Sequence, residues 1–128
     1  MILVTGHEGY IGSHVYNTLK ELGHDVIGID IKSGLDILYC LPDRNDIDYV
    51  FHLAGLADIV PSIENPHKYF KSNVIGTMNV VQATKNTKIK KFIYAASASC
   101  YGIPNKFPTN ENEEIKTMYP YAFAKWQA

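Results

Sequence analysis

The sequence predicts an α/β fold built on a doubly wound parallel sheet. Three observations carry that expectation. Short apolar runs recur along the chain: Ile2-Leu3-Val4, Val26-Ile27-Gly28-Ile29, Tyr49 to Ala54 and Phe92 to Ala96. Longer segments separate them, two with helical spacing, long enough for the crossovers that parallel strands need. The first run ends in a glycine turn, TGHEGYIG, which opens directly into a helical pattern.

Residues 2–5 form the first strand. Residues 11–22 form a helix, with Ile11, Val15, Leu19 and Leu22 on one side and Gly23 as the stop. Residues 25–30 are the second strand. Leu35 to Leu38 is either a short edge strand or a solvated connector, and Pro42 interrupts the segment beyond it. Tyr49 to Ala54 is a buried strand ending at Gly55, with His52 as a hydrogen-bonded core residue. Residues 66–86 form a long helix started by Pro66. Tyr69, Phe70, Val74, Met78 and Val81 are expected to face the sheet, and Gly76 marks close packing. The lysines between Lys85 and Lys91 mark a solvated turn. Residues 92–96 are a strand running into Ser97-Ala98-Ser99. A polar loop spans 102–118, and a last helix starts at Tyr121. Counting 35–38 as the third strand, right-handed crossovers give a sheet order of 3-2-1-4-5.

The bulk numbers exclude several classes. The 128 residues suffice for one domain with a core, and a net charge of -1 offers no basic field for nucleic acid. Cys40 and Cys100 stand alone, without metal-ligand spacing or a disulfide framework, which favours a reducing cytoplasm. The start MILVTG reads as a strand rather than a signal peptide. No apolar run approaches the roughly 20 residues of a membrane helix.

The chemistry begins at the glycine turn. Gly6 permits a sharp turn off the strand, Gly9 lets a pyrophosphate approach the backbone, and Gly12 lets the helix pack closely. The helix N-terminus supplies unpaired N–H groups and partial positive charge. Asp30 ends the second strand, where a carboxylate accepts the ribose hydroxyls of an adenosine and repels a 2′-phosphate. The pattern is a Rossmann-like dinucleotide site. It prefers NAD to NADP, although Lys32 close by works against that preference. Asp36 and Ile37 are candidates for the adenine side. Ser97 and Ser99 lie beyond a carboxyl strand end, where ligands bind in such sheets. Tyr121 and Lys125 share one helix face, and an ammonium beside a phenol favours the phenolate. Tyr121 is therefore a candidate acid or base, and a serine hydroxyl from the Ser97 strand end could bind the same oxygen. A second Tyr–Lys spacing, Tyr16 and Lys20, lies away from the strand ends and reads as structural.

The segments TGHEGYIGSH, HLAG, SNVIGTMNV, ASASCYG and YPYAFAK occur in the order seen in extended short-chain dehydrogenase/reductases. The chain resembles the N-terminal part of an NAD-dependent epimerase/dehydratase, especially a UDP-glucose 4-epimerase-like enzyme. The resemblance implies that Gly6, Gly9 and Gly12 hold the pyrophosphate, with backbone contacts from Tyr10 and Ile11. It implies Asp30 for the ribose, and Asp36 and Ile37 for the adenine. Leu53, Ala54 and Gly55 would line the cofactor, and Asn73 would be a structural, cofactor-side asparagine. Ser97, Tyr121 and Lys125 would be catalytic, with Tyr121 as base and Lys125 its partner on the nicotinamide ribose. No metal is implied. Ala98 and Ser99 stand where water-eliminating members carry an acidic pair, which disfavours 4,6-dehydration.

The expected function is NAD-dependent epimerisation of a nucleotide-sugar, by removal and return of a hydride. Residues 1–128 would be an incomplete NAD-binding domain whose C-terminal substrate domain is absent, leaving the isolated chain nearly inactive. The alternatives are a non-catalytic NAD-binding fragment and a nucleotide-sugar reductase or dehydrogenase. The expected partners are a small nucleotide-sugar and a second copy in a homodimer, with neither nucleic acid nor membrane.

Overall fold

The computed structural model describes residues 1–128. Four strands form one parallel sheet in the order β2-β1-β3-β4: β1 (Ile2–Thr5), β2 (Val26–Ile29), β3 (Tyr49–His52) and β4 (Lys91–Tyr94). Its helices are α1 (Tyr10–Glu21), α2 (Val60–Glu64), α3 (Pro66–Phe70), α4 (Gly76–Thr84) and α5 (Pro120–Gln127).

β1 lies at the centre because it is apolar on both faces. Side chains alternate across a strand. Leu3 joins Ile29, Ile37, Ile47, Val50 and Val80 of α4 in one cluster. Ile2 and Val4 join Val26 on the opposite face, packed against Val15, Tyr16 and Leu19 of α1. Helices thus cover both faces, the doubly wound arrangement. Each fully buried Leu or Val contributes about 2 kcal/mol relative to exposure. Thr5 pairs with Ile29 on one side and His52 on the other, so three strands end at one level.

The expected third strand does not form. After β2 the chain makes a 3₁₀ turn at Ile31–Ser33, capped by Asp30. Leu38 N–H then donates to Asp36 Oδ1, and this local turn competes with extended pairing. Ile37 plugs the core instead and meets Gly76, where a Cβ would come within 2.6 Å of its Cδ1. The order 3-2-1-4-5 is realised without its outer member.

The long helix predicted over 66–86 runs through α3, a π-helical turn at Lys71–Ile75 and α4, ending at Thr84. Its inward face matches the expected one at Tyr69 and departs from it further along. Tyr69, Asn73, Thr77, Val80 and Thr84 are buried, whereas Met78 is 60% exposed and Val81 49%. Polar residues occupy the inner face because each finds a partner there: Asn73 and Thr77 meet Leu56 and His52 at the sheet end, and Thr84 donates to Val80 O of its own helix. An apolar periodicity count assigns such a face to solvent.

Candidate functional site

The glycine turn closes over the end of β3. Gly6 has φ +73, and a Cβ there would lie 2.7 Å from Ala54 N and 2.8 Å from the Leu53 carbonyl carbon. Only glycine meets both demands. At Gly12 a Cβ would lie 1.9 Å from Gly6 O, so α1 packs onto the turn itself. At Gly9 a Cβ would meet Gly6 O alone, at 3.1 Å, and the rest of its surroundings is open. Gly9 caps α1 without a side-chain acceptor. The N–H groups of Tyr10, Ile11 and Gly12 have no hydrogen-bond acceptor within the chain, and the Tyr10 and Ile11 side chains are exposed. His7 anchors the turn from below, its ring filling the space a Cβ on Gly28 would need and packing on Tyr16 at 4.8 Å.

Asp30 sits beside this turn. Its Oδ2 accepts the Glu8 N–H at 2.9 Å and its Oδ1 the Lys32 N–H at 2.9 Å. Lys32 Nζ donates to Glu8 O at 2.8 Å, so its ammonium is turned onto the glycine loop. A cavity of about 480 Å³ opens here, lined by Gly6, Gly9, Asp30, Asp36, Ile37 and the β3 end from Leu53 to Leu56.

Asn73 is buried behind that wall rather than in the cavity lining. Its Oδ1 accepts the Leu56 N–H at 2.7 Å and its Nδ2 donates to Leu56 O at 2.9 Å. It stands in the π turn, where one extra residue per turn re-aims a side chain. His52 is likewise a satisfied core residue. Its Nδ1 is 2.6 Å from Thr5 Oγ1 and its Nε2 is 2.8 Å from Thr77 Oγ1. Burial, and secondarily the Lys125 charge, pushes its pKa down to about 4.

The reactive candidates gather at the β4 end. Ser97 caps a 3₁₀ turn at Ala98–Tyr101, and its Oγ is 2.7 Å from Ser99 Oγ. Cys100 Sγ donates to Ala122 O at 3.5 Å, which ties that turn to α5. Lys125 is buried, its Nζ 4.1 Å from the centre of the Tyr94 ring, while Tyr94 Oη donates to Lys125 O at 3.2 Å. Burial pushes the Lys125 ammonium down to about 8 and the Tyr94 phenol up to about 12. The Tyr121 hydroxyl makes no hydrogen bond to Lys125 or Ser97 within the chain, and its ring packs edge-on against Tyr69 at 6.4 Å. None of the three lines the 480 Å³ cavity. The structure therefore brings Gly6, Gly9, Asp30, Asp36, Ile37, Leu53, Ala54 and Gly55 to one cavity, and leaves Tyr10, Ile11, Gly12, Asn73 and the three reactive candidates outside its lining. By contrast, Lys20 lies over the Tyr16 ring on α1, where Tyr16 packs against the core.

Two contributors escape the sequence reading. Ser62 of α2 is fully buried, donates to Ile59 O at 2.6 Å and accepts the Tyr121 N–H at 3.1 Å. It thus caps a helix 59 residues away. Tyr94 seats Lys125 from the next element. Neither has a local sequence signal, because each meets its partner only after folding.

These features fit a dinucleotide. The cradle is open at Gly9, three N–H groups await acceptors, and a carboxylate lines the adjoining cavity. No group of His, Cys, Asp and Glu is placed to hold a metal ion, and no helix is long and apolar enough to cross a membrane.

Known proteins share this arrangement. The UDP-glucose 4-epimerase of Pisum sativum is 30% identical over 154 aligned residues, which span 97% of this chain and 44% of that protein. That of Yersinia enterocolitica is 33% identical over 151, spanning 97% and 45%. Among solved structures, an NAD-dependent NDP-hexosamine 5,6-dehydratase superposes with a TM-score of 0.92 at 25% identity, covering 98% of this chain and 46% of the other. The UDP-glucose 4-epimerase of Bifidobacterium longum, in complex with NAD+ and UDP, gives 0.86 at 30%, covering 98% and 45%. The chain thus spans less than half the length of each. Its residues 2–128 match the model of the NAD dependent epimerase/dehydratase family, and with the glycine cradle and strand-end cavity in place, the chain belongs to that family.

Proposed function

We propose that this chain is the NAD-binding part of a nucleotide-sugar epimerase. The observation that supports this best is one cavity lined together by Gly6 and Gly9 of the glycine turn, by Asp30 and by the Leu53–Gly55 strand end. In this reading Gly6, Gly9 and Gly12, with the N–H groups of Tyr10 and Ile11, hold the pyrophosphate. Asp30 accepts the adenosine ribose hydroxyls, and Asp36 and Ile37 flank the adenine. Leu53, Ala54 and Gly55 form the wall, and Asn73 holds the next residue, Leu56.

When bound, NAD supplies a nicotinamide carbon that takes up and returns a hydride. The chain's own residues handle the proton. Tyr121 takes it from the sugar hydroxyl, and Ser97 donates a hydrogen bond to the same oxygen. Lys125, as ammonium, binds the nicotinamide ribose. Its seat on Tyr94 and a pKa near 8 keep it mostly charged at neutral pH while sheltered from solvent. The nucleotide-sugar epimerases among the relatives support the substrate class. A cytoplasmic setting and a homodimer belong to the same proposal, the latter supported by the exposed Phe123 and Trp126 on α5.

Calorimetric titration of the chain with NAD, NADP and ADP-ribose tests the reading. NAD and ADP-ribose should bind, NADP more weakly, and Asp30→Asn should weaken NAD by about tenfold, the equivalent of about 1.4 kcal/mol. Tyr121→Phe should leave NAD affinity within about threefold, about 0.6 kcal/mol. Absence of NAD binding, or equal affinity of Asp30→Asn, would overturn it.

A further inference from the structure

The wall of the nucleotide cavity is held by a closed run of buried hydrogen bonds. Ala54 N–H donates to Thr5 Oγ1 at 3.2 Å. Thr5 Oγ1 lies 2.6 Å from His52 Nδ1, and His52 Nε2 lies 2.8 Å from Thr77 Oγ1. Thr77 donates its hydroxyl to Asn73 O at 2.6 Å. The Asn73 side chain then returns to both backbone groups of Leu56. Thr5, His52, Asn73 and Thr77 are all at most 4% exposed, and none of them lines the cavity, whereas Ala54, Gly55 and Leu56 do.

The protons have one consistent order. Thr77 has a single hydroxyl proton, and it goes to Asn73 O, so toward His52 the threonine only accepts. Nε2 of His52 must therefore carry the imidazole proton. Nδ1 is then a bare acceptor and takes the Thr5 hydroxyl proton. Thr5 Oγ1 is left free to accept the Ala54 N–H. Each donor has one acceptor, as a buried polar network needs in order to rigidify what it holds.

We propose that His52 is a positioning residue for the cofactor. It joins Thr5 and Thr77 into a bracket that fixes the Ala54–Leu56 backbone at both ends, and it does so as the neutral Nε2–H tautomer. The bracket also reaches the reactive side. The His52 ring stacks on Tyr94 at 5.8 Å with 24° between planes, and that ring seats Lys125. His52 touches no ligand. It acts through the peptide groups it places. The proposal rests on reading the cavity as the NAD site.

The test pairs ring nitrogen NMR of His52 in the intact chain with calorimetric NAD binding by Thr77→Val and Thr77→Ser. Valine keeps the shape and removes the hydroxyl, and serine restores the hydroxyl. The expected result is an Nε2–H tautomer at neutral pH. NAD affinity should fall about tenfold in Thr77→Val, the loss of roughly one hydrogen bond's worth of positioning, and return to within about twofold in Thr77→Ser. An Nδ1–H tautomer or an imidazolium at neutral pH overturns the proposal without any variant. So does unchanged NAD affinity in a folded Thr77→Val. Should the parent chain bind no NAD, the cofactor reading itself fails, and the bracket is judged on amide exchange at Ala54 and Leu56. Faster exchange at both in Thr77→Val upholds it, and unchanged exchange overturns it.

Discussion

Substituting three glycines separates the two duties of the glycine turn. At Gly12 the added Cβ would lie 1.9 Å from Gly6 O and 2.7 Å from Gly6 C, both backbone atoms. Ordinary contact requires the turn to open by about 1.5 Å. Overpacking of this kind costs about 3 kcal/mol, and the better helix propensity of alanine offsets about 1. Gly12→Ala should therefore lose about 2 kcal/mol, lowering Tm by about 8 °C in a domain of this size. It should also lose NAD binding, because the turn that moves is the cradle. Gly9 is extended, at φ -77 and ψ 172, and its Cβ position is nearly open. Gly9→Ala should stay within about 0.5 kcal/mol of the parent in stability yet bind NAD at least about tenfold more weakly, because the methyl stands where the pyrophosphate approaches. Gly23 supplies the control. It has φ +80 with nothing near its Cβ position, so Gly23→Ala should cost about 1 kcal/mol of backbone strain and leave NAD affinity unchanged. Thermal melts and calorimetric titrations read all three. A Gly12→Ala chain as stable as the parent, or a Gly9→Ala chain with parental NAD affinity, would refute the reasoning.

Three further outcomes are expected from the same geometry. Ser62→Ala removes the cap on α5 and should cost about 1 kcal/mol, with amide exchange at Tyr121 rising while that of β1 is unchanged. Parental exchange at Tyr121 would sink the capping role. His52 has a folded pKa of about 4 against an ordinary 6.5, so the unfolded chain takes up a proton first as pH falls. Its stabilisation is full above pH 6.5 and is lost on acidification toward pH 4, by up to about 3 kcal/mol, and His52→Gln should flatten that slope in urea melts. Ile37→Ala empties the plug that replaces the outer strand and should cost about 3 kcal/mol. A loss under about 1 kcal/mol would show that the connector is held elsewhere.

The parts of the molecule legible in the sequence are those whose causes are local. The glycine turn, Asp30 at a strand end and the four realised strands each arise from neighbouring residues. Gly23 ends α1 as expected, with His24 N–H reaching back to Leu19 O. The inner face of the long helix was legible only at Tyr69 and Gly76, because Thr77 and Thr84 turn their hydroxyls onto carbonyls of their own helix, Asn73 O and Val80 O, and Asn73 finds its partner Leu56 only after folding. The short helix α2 has five residues and no period to detect. Ser62 on Tyr121 and Tyr94 on Lys125 are contacts between distant segments, and residue type alone does not announce them. The edge strand at 35–38 failed for a different reason. An aspartate turn at Asp36 and a core vacancy for Ile37 outcompeted pairing with β2.

The double engagement of Asp30 bears on how readily this protein could change its coenzyme. The carboxylate that would meet the ribose is also the acceptor that fastens the glycine loop at Glu8 and caps the turn at Lys32. Admitting a 2′-phosphate by trimming this side chain would free two backbone donors and loosen both segments at once. The Lys32 ammonium, already spent on Glu8 O, would have to abandon that carbonyl to greet the new charge. A swap from NAD to NADP is thus a rebuilding of the β2 end and not a single replacement. Selection acting on coenzyme choice would have to move several residues in concert.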